Sequence, residues 1–326
     1  MRAAWYSKNG PASEVLQVGE LPDIAPAEGE VRVRLAVSGV NPSDVKSRGG
    51  SRPVTVPHLV PHSDGAGVVE SVGPGVDPAR VGERVWIWNG QWRRALGTAA
   101  EYITLPAGQA MPLPQGISFE AGACLGIPAL TGLHAVQMLG ALQGKTVLVI
   151  GASSSVGFYA AQIAHLRGAR VIGTVGSAEK AGQVKKAGIA DLIDYKREPV
   201  AERIAELTGG RGVDAIIDMD LSTTTALVTD GALAPHGSVI CYGSNQRTGV
   251  AIDYWVWLLR SLSLRFFLVY DLLPDERQAD LNALQALLRE DRLLHHIGPA
   301  FALKDIAQAH EAVESGKTMG KVLVTL

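Results

Sequence analysis

The stretch VLVIGASSSVG, residues 147–157, sets a run of small residues between an apolar strand pattern and the start of a helical one. Such a turn presents unpaired backbone N–H groups at a helix N-terminus, where the helix dipole favours a pyrophosphate. Against the GxGxxG fingerprint, Ala152 and Ser154 stand in place of the first two glycines. Gly157 alone keeps its position, at the close contact of helix and strand. Ser154 brings a hydroxyl to where a phosphate must approach: it could donate to that phosphate or push the cofactor outward. Ser154, Ser155, Val156 and Gly157 are the expected phosphate-binding residues. A hydrolase nucleophile elbow, GxSxG, has its second glycine where Ser155 stands, and no specific histidine and acid are available to complete a triad.

Cofactor choice is read at the end of the second strand of such a fold, where an acidic residue would hold the 2′-hydroxyl of NAD. Gly176 and Ser177 stand there instead. Lys180 follows within one helical turn and Tyr195 closes the next strand, so a cation and a hydroxyl are at hand for a 2′-phosphate. Ser177, Lys180 and Tyr195 therefore predict NADPH rather than NADH.

The elements that position these residues alternate from Pro128 onward. An apolar strand at 146–150 precedes a helix from Val156 to Arg167. Strands at 169–175, 191–195, 213–219 and 238–243 are interleaved with helices near 179–187, 200–207 and 223–233. This is the pattern of a doubly wound parallel sheet. Residues 1 to about 110 read differently, as strands and turns. In EVRVRLAV (30–37), Val31, Val33, Leu35 and Val37 share one face and Arg32 and Arg34 the other, which is a half-buried strand. A tail with helices near 280–289 and 305–315 and a last strand at 321–326 is expected to complete this first domain.

Composition narrows the function. The 326 residues hold 30 basic and 32 acidic side chains for a formal charge of −2, too neutral for a nucleic-acid binder by charge. Two cysteines, Cys124 and Cys241, make neither a disulfide framework nor a CxxC metal pair, which fits a reducing cytoplasm. Arg260 and Arg265 interrupt the longest apolar candidate for a membrane span. His58 and His62 have the spacing of paired helical metal ligands, but Pro57 and Pro61 oppose a helix there.

The whole chain resembles the zinc-independent medium-chain dehydrogenases/reductases, of the quinone oxidoreductase (zeta-crystallin) type. The resemblance is carried by GVNPSD (39–44), HSDGAGVVESVG (62–73), GTAAEY (97–102), CLGIPALTG (124–132), GASSSVG (151–157), GSAEKA (176–181) and AHEAVESGKTMGKVLV (309–324). It implies an α/β fold: a Rossmann doubly wound parallel sheet in residues 124–266 and a GroES-like, β-rich catalytic domain from 1–123 and 267–326. Zinc-containing cousins carry ligands that this chain replaces with Asn41, Ser63 and Ile127, so no metal is expected. Without a Lewis acid the protein contributes proximity, orientation and hydrogen bonds while the nicotinamide supplies hydride, which suits quinones and carbonyl-activated alkenes.

By the same resemblance Asn41 is the expected catalytic group, with Asn41, Pro42, Thr131 and Phe267, Leu268 and Val269 near the nicotinamide. Gly243, Ser244 and Asn245 lie where cofactors bind open sheets, at the carboxyl edge of a strand. Asp44 and Lys46 could pair with each other or relay a proton. Related chains often carry a tyrosine just after their RxG; RGGSRP (48–53) has none. Trp86, Trp88 and Trp92 could stack on a flat substrate, and Arg93 and Arg94 read as a solvated loop. Leu262 to Phe267 is the expected homodimer edge. The alternative reading is a non-catalytic NADPH-binding or RNA-binding protein.

Overall fold

The apolar run at 146–150 forms the strand Thr146–Val149, buried along its whole length. In chain order it is followed by Arg170–Val175, Asp191–Asp194, Val213–Asp218, Leu233–Cys241 and Ser263–Phe266. These six strands are all parallel, and numbered in that order they stand 3-2-1-4-5-6. Strand order reverses between the first and the fourth, and the crevice at their carboxyl ends is where such sheets take a dinucleotide. Leu148, Ile172, Ile193, Ile216 and Val239 join the buried helix residues Ile204 and Val228 in one core cluster.

Local chemistry sets the ends of the intervening helices. Ser154 caps Ser155–Leu166 and Ser177 caps Ala178–Lys186, each through its side-chain oxygen, while Val200–Thr208 stops at Gly209 in the left-handed region. The helix expected over 223–233 is shorter, Leu221–Thr229, because Gly231 takes a φ of 89° and turns the chain into the strand that begins at Leu233.

The computed structural model describes residues 1–326. Contacts divide it into a first unit of Met1–Ile127, Leu288–Glu290 and His295–Leu326 and a second of Pro128–Leu287 and Asp291–Leu294. The sequence reading returned the chain to the first domain after residue 266; the structure keeps it in the second unit through Leu287. The cause is Asp280 on the helix Pro274–Arg289, which is bonded to His134 Nδ1 at 2.8 Å and Gln137 Nε2 at 2.6 Å, both on the helix Leu130–Met138.

In the first unit the strand Glu30–Gly39 is the spine of a seven-stranded sheet, pairing antiparallel with Asp64–Val72, Tyr102–Pro106 and Lys321–Thr325. Val31, Val33 and Leu35 pack with Val69, Val85, Ile103 and Leu105. Val37 departs from that face and packs with Ala123 and Leu323, because the pairing register with Asp64–Val72 shifts between Leu35 and Val37.

Candidate active site

Asn41 ends the loop after the spine strand and precedes the short helix Pro42–Lys46, with Pro42 in the first turn. Its backbone N–H donates to Asp44 Oδ2 at 2.7 Å. Asp44 thus serves this turn and forms no ion pair with Lys46; buried, its carboxyl is pushed up to about 7. The Asn41 side chain is held from two directions: Nδ2 donates to Asp64 Oδ2 at 2.8 Å, and Oδ1 accepts from Lys321 Nζ. Lys321 also donates to Asp64 Oδ2 at 2.6 Å. Lys321 is 2% exposed, Asp64 0% and Asn41 3%, so a full ion pair is sealed from solvent around one amide. Burial drives the Asp64 carboxyl up, and the Lys321 ammonium, the Asn41 amide and the Ile127 backbone N–H draw it back. Gly39 makes the room: a Cβ there would lie 2.8 Å from Lys321 Cε and 3.1 Å from Asp64 Cβ.

A second buried network ends on the same residue. Arg48 Nε donates to His310 Nδ1 at 3.3 Å, and His310 Nε2 meets His62 Nε2 at 2.9 Å. His62 Nδ1 meets Ser38 Oγ at 2.8 Å, Ser38 meets Thr98 Oγ1 at 2.8 Å, and Thr98 donates to the Asp64 carbonyl at 2.5 Å. A guanidinium only donates and a carbonyl only accepts, so every proton between them is assigned. Both histidines are neutral, His310 protonated on Nε2 and His62 on Nδ1. Burial and neighbouring charge agree, holding His310 down at about 3 and His62 well below the ordinary range. His62 therefore belongs to a hydrogen-bond chain, while His58 stacks edge-on against Trp5, and the two form no ligand pair.

The three tryptophans separate. Trp86 is fully buried core, Trp88 Nε1 donates to the Gly108 carbonyl, and only Trp92 lines a cavity. That cavity, about 420 Å³, is also bordered by Tyr6, Arg52, Arg93 and Arg94. Arg93 stacks on Trp92 and Arg94 donates to the Thr104 carbonyl, so neither is a merely solvated side chain. Tyr6, pushed up to about 12 by burial and then by Asp44, keeps its phenol proton at neutral pH.

In the second unit a cavity of about 400 Å³ opens at the carboxyl ends of the strands, lined by Gly151, Thr174, Tyr195, Asp220, Asn245 and their neighbours. The turn 151–157 stands at its edge. Gly151 has a φ of 67°, and a Cβ on Gly157 would come within 2.2 Å of the Gly151 carbonyl oxygen. The Ser154 Oγ accepts from Gly157 N at 3.0 Å, capping the helix, and its own O–H is left to donate. Ser155 and Val156 form that helix's first turn. The Ser177 hydroxyl likewise accepts from Lys180 N at 3.3 Å, the Lys180 ammonium has no carboxylate partner, and the Tyr195 hydroxyl lies over Gly176. Asn245 donates to both oxygens of Asp220, at 2.9 and 2.8 Å. Beside it, Gly243 accepts from Leu221 N, and the Ser244 hydroxyl is out of solvent without a protein partner. Thr131 is buried on the helix Leu130–Met138. Phe267 packs on His134 at 4.7 Å, Val269 is buried, and Leu268 is 48% exposed. The glycine-tight turn at the edge of this cavity, the Ser244 hydroxyl without a protein partner and the Lys180 ammonium without a carboxylate partner are groups whose chemistry fits a phosphorylated dinucleotide.

Sequence reasoning missed Lys321, Asp220 and the His62–His310 contact. The available signal for Lys321 was a cation opening an otherwise apolar strand, KVLVTL.

Residues 155–286 match the family described as zinc-binding dehydrogenase, and residues 27–115 the alcohol dehydrogenase GroES-like domain. A quinone oxidoreductase of Rattus norvegicus is 33% identical over 311 residues, spanning 93% of this chain and 91% of its own. Among solved structures, an NAD-dependent alcohol dehydrogenase aligns with a TM-score of 0.89 at 30% identity, over 100% of both chains. The quinone oxidoreductase of Escherichia coli complexed with NADPH aligns with a TM-score of 0.86 at 28% identity, again over 100% of both. The chain belongs to the medium-chain dehydrogenase/reductase family and groups with its quinone oxidoreductases.

The zinc in that family description does not fit this chain. No three His, Cys, Asp or Glu side chains converge as a ligand set. Of the positions that carry ligands in zinc-containing cousins, Asn41 gives its side chain and Ile127 its backbone N–H to Asp64, whose carboxylate is already taken by the Lys321 ammonium.

Proposed function

We propose that the protein is an NADPH-dependent oxidoreductase that reduces quinones or carbonyl-activated alkenes without a metal. The observation that carries this is an Asn41 site whose neighbouring carboxylate is neutralised by a lysine, in a chain that also holds an anion-ready dinucleotide crevice. NADPH, when bound, supplies the hydride; with one proton from solvent the acceptor leaves as a hydroquinone or a saturated carbonyl compound. Asn41 orients the acceptor or the nicotinamide carboxamide. One of its amide protons goes to Asp64 and the second remains for a ligand. Lys321 and Asp64 fix the rotamer of that amide and stay out of proton transfer.

The unpaired Lys180, the capping Ser177 and Tyr195 receive the 2′-phosphate, while the backbone of 154–157 receives the pyrophosphate. Gly243, Ser244, Asn245, Thr131 and Phe267 to Val269 of the second unit and, by the family resemblance, Pro42 of the first are the residues assigned to the nicotinamide. Binding of NADPH and NADH to wild type and Lys180→Ala tests the assignment. Affinity for NADPH falls about tenfold in the variant while that for NADH moves less than about twofold. An equal loss for both nucleotides removes Lys180 from the phosphate site.

The strand Ser263–Phe266 has one free edge, and Phe266 at 62% exposed, Trp255 at 63% and Leu259 at 75% give the second unit exposed apolar surface. This supports a homodimer formed through that edge. No helix is long and apolar enough to cross a membrane, and both cysteines are free and buried, which fits a reducing cytoplasm.

A further inference from the structure

Tyr6 follows the strand Arg2–Trp5 and is tied by its backbone to another wall residue of the 420 Å³ cavity. Its N–H donates to the Leu59 carbonyl and the Leu59 N–H to the Tyr6 carbonyl, both at 3.0 Å. The residue is 2% exposed, yet its hydroxyl makes no hydrogen bond to the protein and is not sealed from solvent, so it opens on the cavity that Tyr6 lines. A nearly buried tyrosine usually has its O–H bonded to a partner. Here the ring is held in place and the donor is unused.

The cavity matches that donor to a carbonyl group. Its walls at Val54, Val56 and Leu59 are apolar, no carboxylate lines it, and its volume suits one or two fused rings. Neighbouring donors are engaged: Gln91 Nε2 donates to the Arg94 carbonyl at 2.8 Å, Arg94 donates to the Thr104 carbonyl, and the guanidinium groups of Arg52 and Arg93 stack on Trp92. A phenol is more acidic than an aliphatic hydroxyl or an amide, and so is the stronger neutral donor toward an oxygen that gains charge. Asp44, Arg48 and Arg52 are the charged groups that face it. Burial and then the Asp44 charge push the phenol up to about 12, so it remains a donor throughout the neutral range.

We infer that the Tyr6 hydroxyl is a catalytic group of this reductase, donating a hydrogen bond to the carbonyl oxygen of a neutral conjugated acceptor seated in the cavity. The inference deepens the function proposed above and rests on it. As the acceptor takes up hydride from NADPH, which is oxidised to NADP⁺, the displaced electron pair of its conjugated system ends on that oxygen, and a solvent proton completes the product. The Tyr6 proton stays on Tyr6. Its bond strengthens as the oxygen gains charge, so a phenol fixed in advance stabilises the transition state more than the bound acceptor.

Tyr6→Phe deletes a hydroxyl that bonds nothing in the protein, and the fold survives it with an unchanged melting temperature. Infrared difference spectra of bound duroquinone, a quinone with no free addition position, read the contact without turnover: the carbonyl band lies lower in wild type than in Tyr6→Phe. Single-turnover reduction of duroquinone by NADPH reads its catalytic effect. The rate at saturating acceptor falls about a hundredfold in the variant, while the half-saturating acceptor concentration moves less than about threefold. NADPH affinity is the same in both proteins. Equal bands, equal rates or a loss confined to half-saturation overturn the inference, as does duroquinone that fails to bind. Val54→Trp tests the place independently: it crowds the cavity from another wall and abolishes duroquinone binding, and binding that survives it overturns the inference. A band difference in a wild type that reduces no quinone or enone keeps the Tyr6 contact and sinks the reductase reading. A reductase indifferent to Tyr6→Phe does the reverse, so the two fail separately.

Discussion

The two units hold their polar groups by opposite means. Around Asn41 the partners are charged, sealed from water and distant in sequence: Asp64 is 23 positions away and Lys321 280. In the phosphate turn they are neutral and local, with Ser154 and Gly157 three positions apart. A buried charge pair is secure only while complete, since each ion depends on the other for its solvation. A turn of backbone donors and one hydroxyl loses little when one side chain goes, and its exposed N–H groups stay available to a ligand. The first arrangement suits a site that must keep one amide in a fixed pose, and the second suits one that binds and releases phosphate.

Breaking the charged cluster has the largest expected effect. Lys321→Met leaves Asp64 without its cation in a fully buried place and destabilises the protein by about 3–5 kcal/mol. Urea denaturation reads the loss, and adding Asp64→Asn recovers much of it by removing the stranded charge. A Lys321→Met variant as stable as wild type would mean that the pair is not the anchor of Asn41.

The histidine chain gives the next effect, and it depends on pH. His310 titrates near 3 when folded against 6.5 when unfolded, so the unfolded chain binds more protons between those values. Its stabilisation is complete above about pH 6.5 and is lost as pH falls toward 3, reaching about 3 kcal/mol at pH 4.5. Asp44 acts in the opposite sense: its folded value of about 7 lies above 3.8, so its contribution is present at low pH and lost as pH rises through 7. His310→Gln keeps Asp44 and can still accept from Arg48 and donate to His62. Denaturant midpoints of this variant and wild type at pH 7 and 4.5 isolate the histidine contribution as a smaller acid loss in the variant. Equal acid losses would place the protonated group elsewhere.

These contrasts also mark what could be read from the chain. The parallel sheet, the phosphate turn and the spine strand are local patterns of apolar period and small-residue spacing, and the structure reproduces them to within a few residues. Helix 221–229 was overestimated because the turning power of Gly231 depends on its backbone angle, which composition does not reveal. Asn41 was found through a motif, but its anchors were not. Nothing near Lys321 in sequence shows that the first residue of an apolar strand points at Asp64, nor that Gly39 clears the space. Trp86, Trp88 and Trp92 look alike in WIWNGQW, and only the pairing of residues 84–87 with neighbouring strands sorts core from cavity wall.

Within the turn itself, Gly157→Ala is the sharper probe. Its new Cβ would meet the Gly151 carbonyl oxygen at 2.2 Å, a backbone contact that cannot yield without moving helix or strand. Crowding of this kind costs about 1–3 kcal/mol. The displaced donors weaken NADPH about tenfold, which a fluorescence titration measures. Unchanged affinity would show that the phosphates lie away from this turn.

Ser154→Ala gives the smallest effect and decides how the turn works. The Ser154 hydroxyl lone pair is spent on Gly157 N–H, and removing an N-cap costs about 1 kcal/mol of stability. If the backbone alone holds the pyrophosphate, the alanine variant melts slightly earlier while its NADPH affinity changes less than about threefold. If the Ser154 hydroxyl also donates to phosphate, affinity drops about tenfold at the same small cost in stability, because a hydrogen bond to a charged group is worth more than a cap. The first outcome makes Ser154 a structural stand-in for glycine, and the contrast with the Asn41 cluster holds. The second brings a side chain into the phosphate site, and the turn then shares with the other unit a dependence on one irreplaceable polar group.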